Sequence, residues 1–218
     1  MDIYRVRESE KKYIEYKESY IHNTALIAFH EHEPYGIFEY KIVSLNKAKV
    51  INFEVFKECN KDKIFNDFIN ELSYWNPYIK FIEYNGQTQE IKEVEEIFTI
   101  SLDEITIGQL TIDREKYERV LKWARSPEDI IISCIKVGEK IICIDGYTRL
   151  VAAYKNGFQY VYGYYEEVED TKFYETCLKW CEEDNIVSIK DLMNRIVSPQ
   201  EHKNLWIDRC NEYFKNNK

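Results

Sequence analysis

No apolar run in this chain approaches the roughly 18–20 residues that cross a bilayer as a helix, so no membrane partner is expected. No block of Lys or Arg occurs anywhere in it. With 30 Lys and Arg against 39 Asp and Glu, the net charge is -9. A protein that tracks a phosphate backbone needs a basic face, so nucleic acid is not the expected partner. The opening residues, Met1-Asp2-Ile3-Tyr4-Arg5, lack the basic region and apolar stretch of a secretory signal, and a cytoplasmic protein is expected. There is no CxxC pair. The 6 cysteines (Cys59, Cys134, Cys143, Cys177, Cys181, Cys210) have no framework spacing, which leaves reduced, mostly packed thiols as the expectation. Glycine (7) and proline (4) are scarce while Ile, Lys, Asn and Tyr abound, the bias an AT-rich genome imposes. The 18 Tyr are therefore not read as a binding surface.

What remains is the balance of a folded protein. Of 218 residues, 44% are hydrophobic and 32% charged, enough for one large domain or two small ones, each with a core. Residues 24–30 read as a strand, His30 to Gly36 as a turn, Ile37 to Leu45 and Lys49 to Phe56 as two more strands. Asn60 can cap an amphipathic helix with Ile64, Phe65, Phe68, Ile69 and Leu72 on one face. Pro77 stops it, and Tyr78 to Tyr84 is a strand ended by Asn85-Gly86. Residues 87–97 are polar and acidic and read as the domain boundary.

The second half opens with a strand from Phe98 to Leu102. Asp113 caps a helix carrying Tyr117, Val120, Leu121 and Ala124. A hairpin follows, Ile130–Ile135 and Ile141–Ile144 about a Val137-Gly138-Glu139 turn. Asp145-Gly146-Tyr147-Thr148-Arg149 then leads into a small-residue helix ended by Asn156-Gly157. Phe158 to Tyr164 is another strand. The remainder is helical, with Phe173, Tyr174, Cys177, Leu178 and Cys181 at helical spacing. Ser188 caps a second helix, and Ser198-Pro199-Gln200-Glu201 forms a capping box that opens a third. No repeat or low-complexity segment appears.

Residues 141–157 are the most informative stretch. A strand ends in a carboxylate, a glycine permits close approach, and a helix begins beside a hydroxyl and a guanidinium. Backbone N–H groups at a helix start attract anions. Arg149 can clamp a phosphate, and Asp145 can accept a proton or hold Mg²⁺. The same residues also fit a plain strand-to-helix turn in which Asp145 caps the helix and Arg149 is solvated.

The order strand, Asp145-Gly146-Tyr147-Thr148-Arg149, helix, Gly157, strand, preceded by a helix and a hairpin, resembles the ParB/sulfiredoxin superfamily over about residues 99–165. It is most similar to the branch containing the ADP-dependent free serine kinases, where a D-G-H-x-R loop opens the matching helix. The resemblance implies a small α/β nucleotide-binding domain in which Asp145 is the catalytic acid/base. It also implies that Gly146, Tyr147, Thr148, Arg149 and Gln109 contact an adenine nucleotide, ADP or ATP with Mg²⁺. Tyr147 stands where those kinases have His. Gly108, in Thr106-Ile107-Gly108-Gln109-Leu110, stands where they have their second catalytic carboxylate, for which Glu104 is a nearby candidate. The sulfiredoxin cysteine, the Arg pair of the chromosome-partitioning branch and a helix-turn-helix module are absent. The N-terminal part is weakly similar to a truncated GNAT acetyltransferase fold, with Lys57-Glu58-Cys59-Asn60-Lys61-Asp62 in place of a glycine-rich pyrophosphate loop.

Three lesser features complete the reading. His30 and His32 share a strand face, but no third metal ligand is evident, so an exposed turn is expected. Cys177 and Cys181 lie four apart on a helix and read as core residues. Glu166 to Asp170 reads as a solvated loop, or as Mg²⁺ ligands at the rim of the site. The expectation is an α+β protein: a small β-β-β-α-β domain over 1–97, a ParB/sulfiredoxin-like domain over 98–169, and a helical tail over 170–218 packed on it. Its function is nucleotide binding, either with phosphotransfer to a small polar metabolite such as a free amino acid or as a non-catalytic regulatory protein. A ParB-like role on nucleic acid is the remaining alternative, and a homodimer is allowed.

Overall fold

The computed structural model describes residues 2–5, 23–30, 32–56 and 60–217. The charged stretch after residue 5, Glu31 of the histidine turn, Cys59 and half of the 57–62 link lie outside the described residues. The secondary structure is α+β. The chain divides into two compact units, Met1–Glu95 and Glu96–Lys218.

In the first unit, β1 (Asp2–Arg5), β2 (Asn23–His30), β3 (Glu33–Ser44) and β4 (Lys47–Val55) pair antiparallel in sequence order. The chain then crosses over through α1 (Lys61–Trp75), which lets β5 (Phe81–Tyr84) join β4 in parallel. Asn60 caps α1, its Oδ1 accepting from the Lys63 N–H at 3.0 Å. The buried face is Ile64, Phe68, Ile69 and Leu72. Phe38 of β3 stacks on Phe68 at 5.3 Å, and Phe65 stacks on Tyr84 at 4.9 Å, so aromatic rings join helix to sheet. Glu83 lies 2.6 Å from Lys47 and 2.8 Å from Lys49, and these two ammonium groups hold its carboxyl down at about 2.

Three details differ from expectation. Glu33 to Gly36 are not turn but the start of β3, paired with β2. The strand after Pro77 starts at Phe81 rather than Tyr78, because a turn intervenes in which the Ile79 N–H donates to the Asn76 carbonyl. Residues 87–90 are not linker but β6 (Gln87–Glu90), folded back on β5 by Asn85 and Gly86 at φ 49 and 76. Positive φ at both central residues is the geometry of a tight hairpin. All four residues of β6 are exposed, so the strand has no alternation to read.

In the second unit the sheet order is β7-β12-β10-β11-β8. The strands are β7 (Phe98–Ser101), β8 (Ile105–Thr106), β10 (Ile131–Val137), β11 (Lys140–Asp145) and β12 (Tyr160–Tyr165). β10 and β11 form the expected hairpin. α3 (Tyr147–Lys155) carries the chain from β11 to β12, which runs parallel to β10. α2 (Arg114–Leu121) is capped by Asp113, which accepts from the Lys116 N–H at 3.0 Å.

The C-terminal segment shares the same core rather than standing apart from it. Its elements are α4 (Lys172–Glu183), α5 (Ile189–Met193), α6 (Pro199–His202) and α7 (Asp208–Asn216). Cys177, Cys181, Ile186, Ile189, Leu192 and Trp206 are buried in one cluster with Leu150, Val151 and Ile132. A short strand, β13 (Ile196–Val197), pairs in parallel with β9 (Ile112–Asp113). α6 and α7 are joined by a π-helical turn, Lys203–Ile207, where a single helix is expected from the capping box. Among the described residues no helix is long and apolar enough to cross a membrane.

Candidate functional site

β11 ends at Asp145, which pairs with Ser133 of β10 just beyond a β-bulge. Bulges re-aim side chains at the ends of strands. Gly146 follows at φ 120, a conformation side chains disfavour. A Cβ there would fall 2.6 Å from Ile132 Cγ2 and 3.1 Å from a guanidinium nitrogen of Arg149. Glycine is thus required twice, for the backbone turn and for the guanidinium lying over it.

Arg149 reaches back from the first turn of α3 and donates to Asp145 Oδ2 at 2.5 Å. The arginine side chain is 28% exposed and the aspartate 80%. Asp145 therefore does not cap α3. The capping position is Gly146, with no side-chain cap, and the carboxylate is spent on the guanidinium instead. The first N–H groups of a helix have no intrahelical acceptor, so Tyr147, Thr148 and Arg149 contribute donors to the same turn. The Thr148 side chain is half-buried there. Asp145, Gly146, Thr148 and Arg149 are thus brought together as expected.

Tyr147 is a correction. Its side chain is buried, turned away from the turn and into the core. Its hydroxyl accepts from the Gly108 N–H at 2.7 Å and donates to the Cys143 carbonyl. Burial pushes its pKa well up, so it stays neutral. Only its backbone N–H remains for a ligand, and its ring pins the 107–109 loop to the end of β11. Gln109 also differs from expectation: its amide nitrogen donates to the Thr111 carbonyl at 2.8 Å.

The same contacts explain why no carboxylate stands at position 108. A Cβ on Gly108 would meet the Tyr147 hydroxyl at 3.0 Å, Leu178 at 3.6 Å and Cys177 at 3.7 Å. Leu178 and Cys177 of α4 are in van der Waals range of that Cβ, and the tight contact is with the Tyr147 hydroxyl. Glu104 completes a capping box by accepting from the Ser101 N–H at 3.2 Å.

Sequence reasoning missed one carboxylate arrangement. Ser133, the strand partner of Asp145, donates its hydroxyl to Glu166 Oε1 at 2.5 Å, and the Tyr164 hydroxyl donates to the same oxygen at 3.2 Å. Glu166, read as the start of a solvated loop, is a fixed residue at the end of β12. The signal was tertiary: only the β10–β12 register puts Ser133 beside Tyr164.

His30 and His32 flank a turn in which His32 takes φ 70. Among the described residues no group of three or more His, Cys, Asp or Glu converges as a metal site. Cys177 and Cys181 are buried, and burial pushes the Cys181 thiol up to about 12. These thiols are protonated at neutral pH and packed, not nucleophilic.

No family model matches the chain, and no curated protein matches it. Among solved structures it is similar to protein Atu1540 from Agrobacterium tumefaciens, with 17% identity and a TM-score of 0.33. That match covers 48% of this chain and 63% of the other. A likeness at that level does not assign a common fold.

Proposed function

We propose that the Glu96–Lys218 unit is a phosphate-binding module of the ParB/sulfiredoxin type that takes an adenine nucleotide at the Gly146–Arg149 turn. The observation that carries this reading is the guanidinium of Arg149 lying over a side-chain-free, positive-φ glycine at the start of a nine-residue helix. Arg149, the Thr148 hydroxyl and the first-turn N–H groups are the phosphate donors. Without ligand, Asp145 holds the guanidinium in place. Phosphate oxygens compete for Arg149 and release the carboxylate, which then faces Mg²⁺ or a proton. Mg²⁺ commonly takes one or two carboxylates plus substrate phosphates, so a single protein carboxylate suits a nucleotide-borne ion.

Binding without catalysis is the preferred form of the reading. Phosphotransfer in the resembling kinases relies on a second carboxylate, and Gly108, which carries no side chain, stands at the matching position here. Phosphotransfer to a small polar metabolite is the second reading, favoured by the 80% exposure of Asp145, which leaves it open to an acceptor hydroxyl. Calorimetric titration with ADP and ATP, with and without Mg²⁺, tests the binding reading. Saturable heat that is lost in Arg149→Ala supports it, and no heat with folded wild-type protein removes it. Turnover against a panel of amino acids and other small hydroxyl compounds separates the two forms.

A further inference from the structure

The inner side of the Tyr147 pin opens onto a part-enclosed cavity of about 210 Å³. Gly108, Gln109 and Tyr147 form its floor, while Ile142, Cys143 and Ile144 of β11 form one wall. Phe173, Tyr174 and Cys177 of α4, with Trp206 and Cys210, form the rest. Well-packed interiors hold few voids larger than a water molecule, so a space of this size beside a full core is a feature of the fold.

A π-helical turn supplies part of its wall. Lys203–Ile207 adds a residue per turn just before α7 and carries Trp206, while Cys210 follows in the next turn. Such insertions into helices occur often at functional sites.

The lining states what fits. None of its residues is charged, so an ion entering would lose its hydration with no counter-charge. Part of its polar floor is engaged. The Tyr147 hydroxyl is bonded on both sides, and the Gln109 amide nitrogen serves Thr111. Water needs two to four polar partners to be held well, so water along the apolar walls is weakly held and readily displaced by an apolar group. Burial, helped by Cys210 and Cys181, pushes the Cys177 thiol above its usual range, and burial alone pushes the Cys210 thiol up to about 11 against Arg209. They act as soft apolar walls rather than nucleophiles. Three polar groups are left over: the Trp206 indole N–H, the Tyr174 hydroxyl and the Gln109 side-chain oxygen make no hydrogen bond to the described residues, yet none is sealed from solvent.

We propose that this cavity is a binding site for a small, flat, uncharged aromatic molecule carrying one hydrogen-bond acceptor. The rings of Phe173, Tyr174 and Trp206 contact its faces and edges, and the indole N–H meets its acceptor. The proposal does not rest on the phosphate-binding reading.

Acetophenone is the probe, with benzoate as its charged counterpart. Titration followed by the Trp206 indole N–H resonance, assigned by its loss in Trp206→Phe, is expected to show saturable binding of acetophenone. Benzoate is expected to bind at least 10-fold more weakly. Two filling variants on different walls, Cys210→Leu and Ile144→Phe, are each expected to weaken acetophenone at least 10-fold while keeping the wild-type circular dichroism spectrum. Loss of binding in every filling variant that folds supports the site. Absence of any saturable shift in wild type up to millimolar acetophenone overturns it, as does undiminished binding in a folded filling variant or benzoate binding as well as acetophenone.

Discussion

The Gly108 N–H donates to the Tyr147 hydroxyl at 2.7 Å, joining a loop to a helix start 39 residues away in the chain. The same hydroxyl donates to the Cys143 carbonyl, so one tyrosine closes the loop, the strand end and the helix start into a single buried network. Removing its oxygen strands an N–H and a carbonyl in the core, each of which costs about 1–3 kcal/mol when left unpaired. Tyr147→Phe is expected to lower the unfolding free energy by that order, read as a lower urea midpoint at unchanged slope, because the ring still fills its space. Gly108→Ala acts on the same contact from the other side: its Cβ lands 3.0 Å from the hydroxyl oxygen. Overpacking of this kind costs about 1–3 kcal/mol. Gly108→Glu is expected to be worse than Gly108→Ala, and restoring a carboxylate there yields no phosphotransfer. A Gly108→Glu protein as stable as wild type contradicts the packing account.

Gly146 is the second backbone constraint. At φ 120, with an alanine methyl falling 2.6 Å from the Ile132 side chain, Gly146→Ala carries both strain and a clash. Strain alone costs about 1–3 kcal/mol and overpacking adds a similar amount. A loss of at least ~2 kcal/mol in chemical unfolding is expected. Ile132→Ala in the same background relieves the clash but not the strain, so it recovers part of that loss beyond its own cavity cost. A simple sum of the two single effects contradicts the contact.

His202 makes stability depend on pH. Its ring is buried, and Nδ1 lies 2.9 Å from the Thr111 hydroxyl. Burial lowers its pKa, Asp113 opposes that shift and Lys116 adds to it. A histidine with a folded pKa below its unfolded value contributes full stability above about pH 6.5, the unfolded value. That contribution is lost as pH falls through the folded pKa, because the unfolded chain takes up the proton more readily. His202→Gln keeps a polar partner for Thr111 but cannot titrate. Between pH 7 and pH 5 wild type is expected to lose more stability than His202→Gln, and parallel pH profiles contradict this.

The parts of this fold legible in the sequence are those set by neighbours in the chain. The Asn60 cap and the Ile64, Phe68 and Leu72 face define α1, and the Ser188 and Ser198 capping boxes mark their helix starts. The Asp145-Gly146-Thr148-Arg149 cluster was legible for the same reason: a strand end, a glycine and one helical turn fix it locally. Tyr147 was misplaced because sequence order puts it among ligand-facing residues, whereas its inward direction depends on Gly108 and Cys143. β6 escaped because a strand wet on both faces shows no period. β9 and β13 escaped because two-residue pairings 84 positions apart leave no local trace. The Ser133–Glu166 bond and the α4 contact with Gly108 are likewise long-range.

The phosphate turn yields the most direct prediction. If Arg149 binds phosphate, Arg149→Ala removes a charge-assisted bond worth about 1.5–3 kcal/mol, or about 10–150-fold in nucleotide affinity. Thr148→Ala removes a neutral contact worth about 0.5–1.5 kcal/mol and is expected to weaken binding less. Asp145→Asn separates holding from chemistry. Asp145 competes with phosphate for the guanidinium at 2.5 Å, so weakening that pair is expected to leave Mg²⁺-free affinity unchanged or raised. Affinity in Mg²⁺ is expected to fall if the carboxylate meets the ion. Any phosphotransfer is expected to drop by about 10²-fold or more, since an amide takes no proton. Calorimetry of the three variants in and out of Mg²⁺ reads all of this at once. Arg149→Ala with wild-type nucleotide affinity and an intact fold leaves the Asp145–Arg149 pair as a local clasp on the helix start and nothing more.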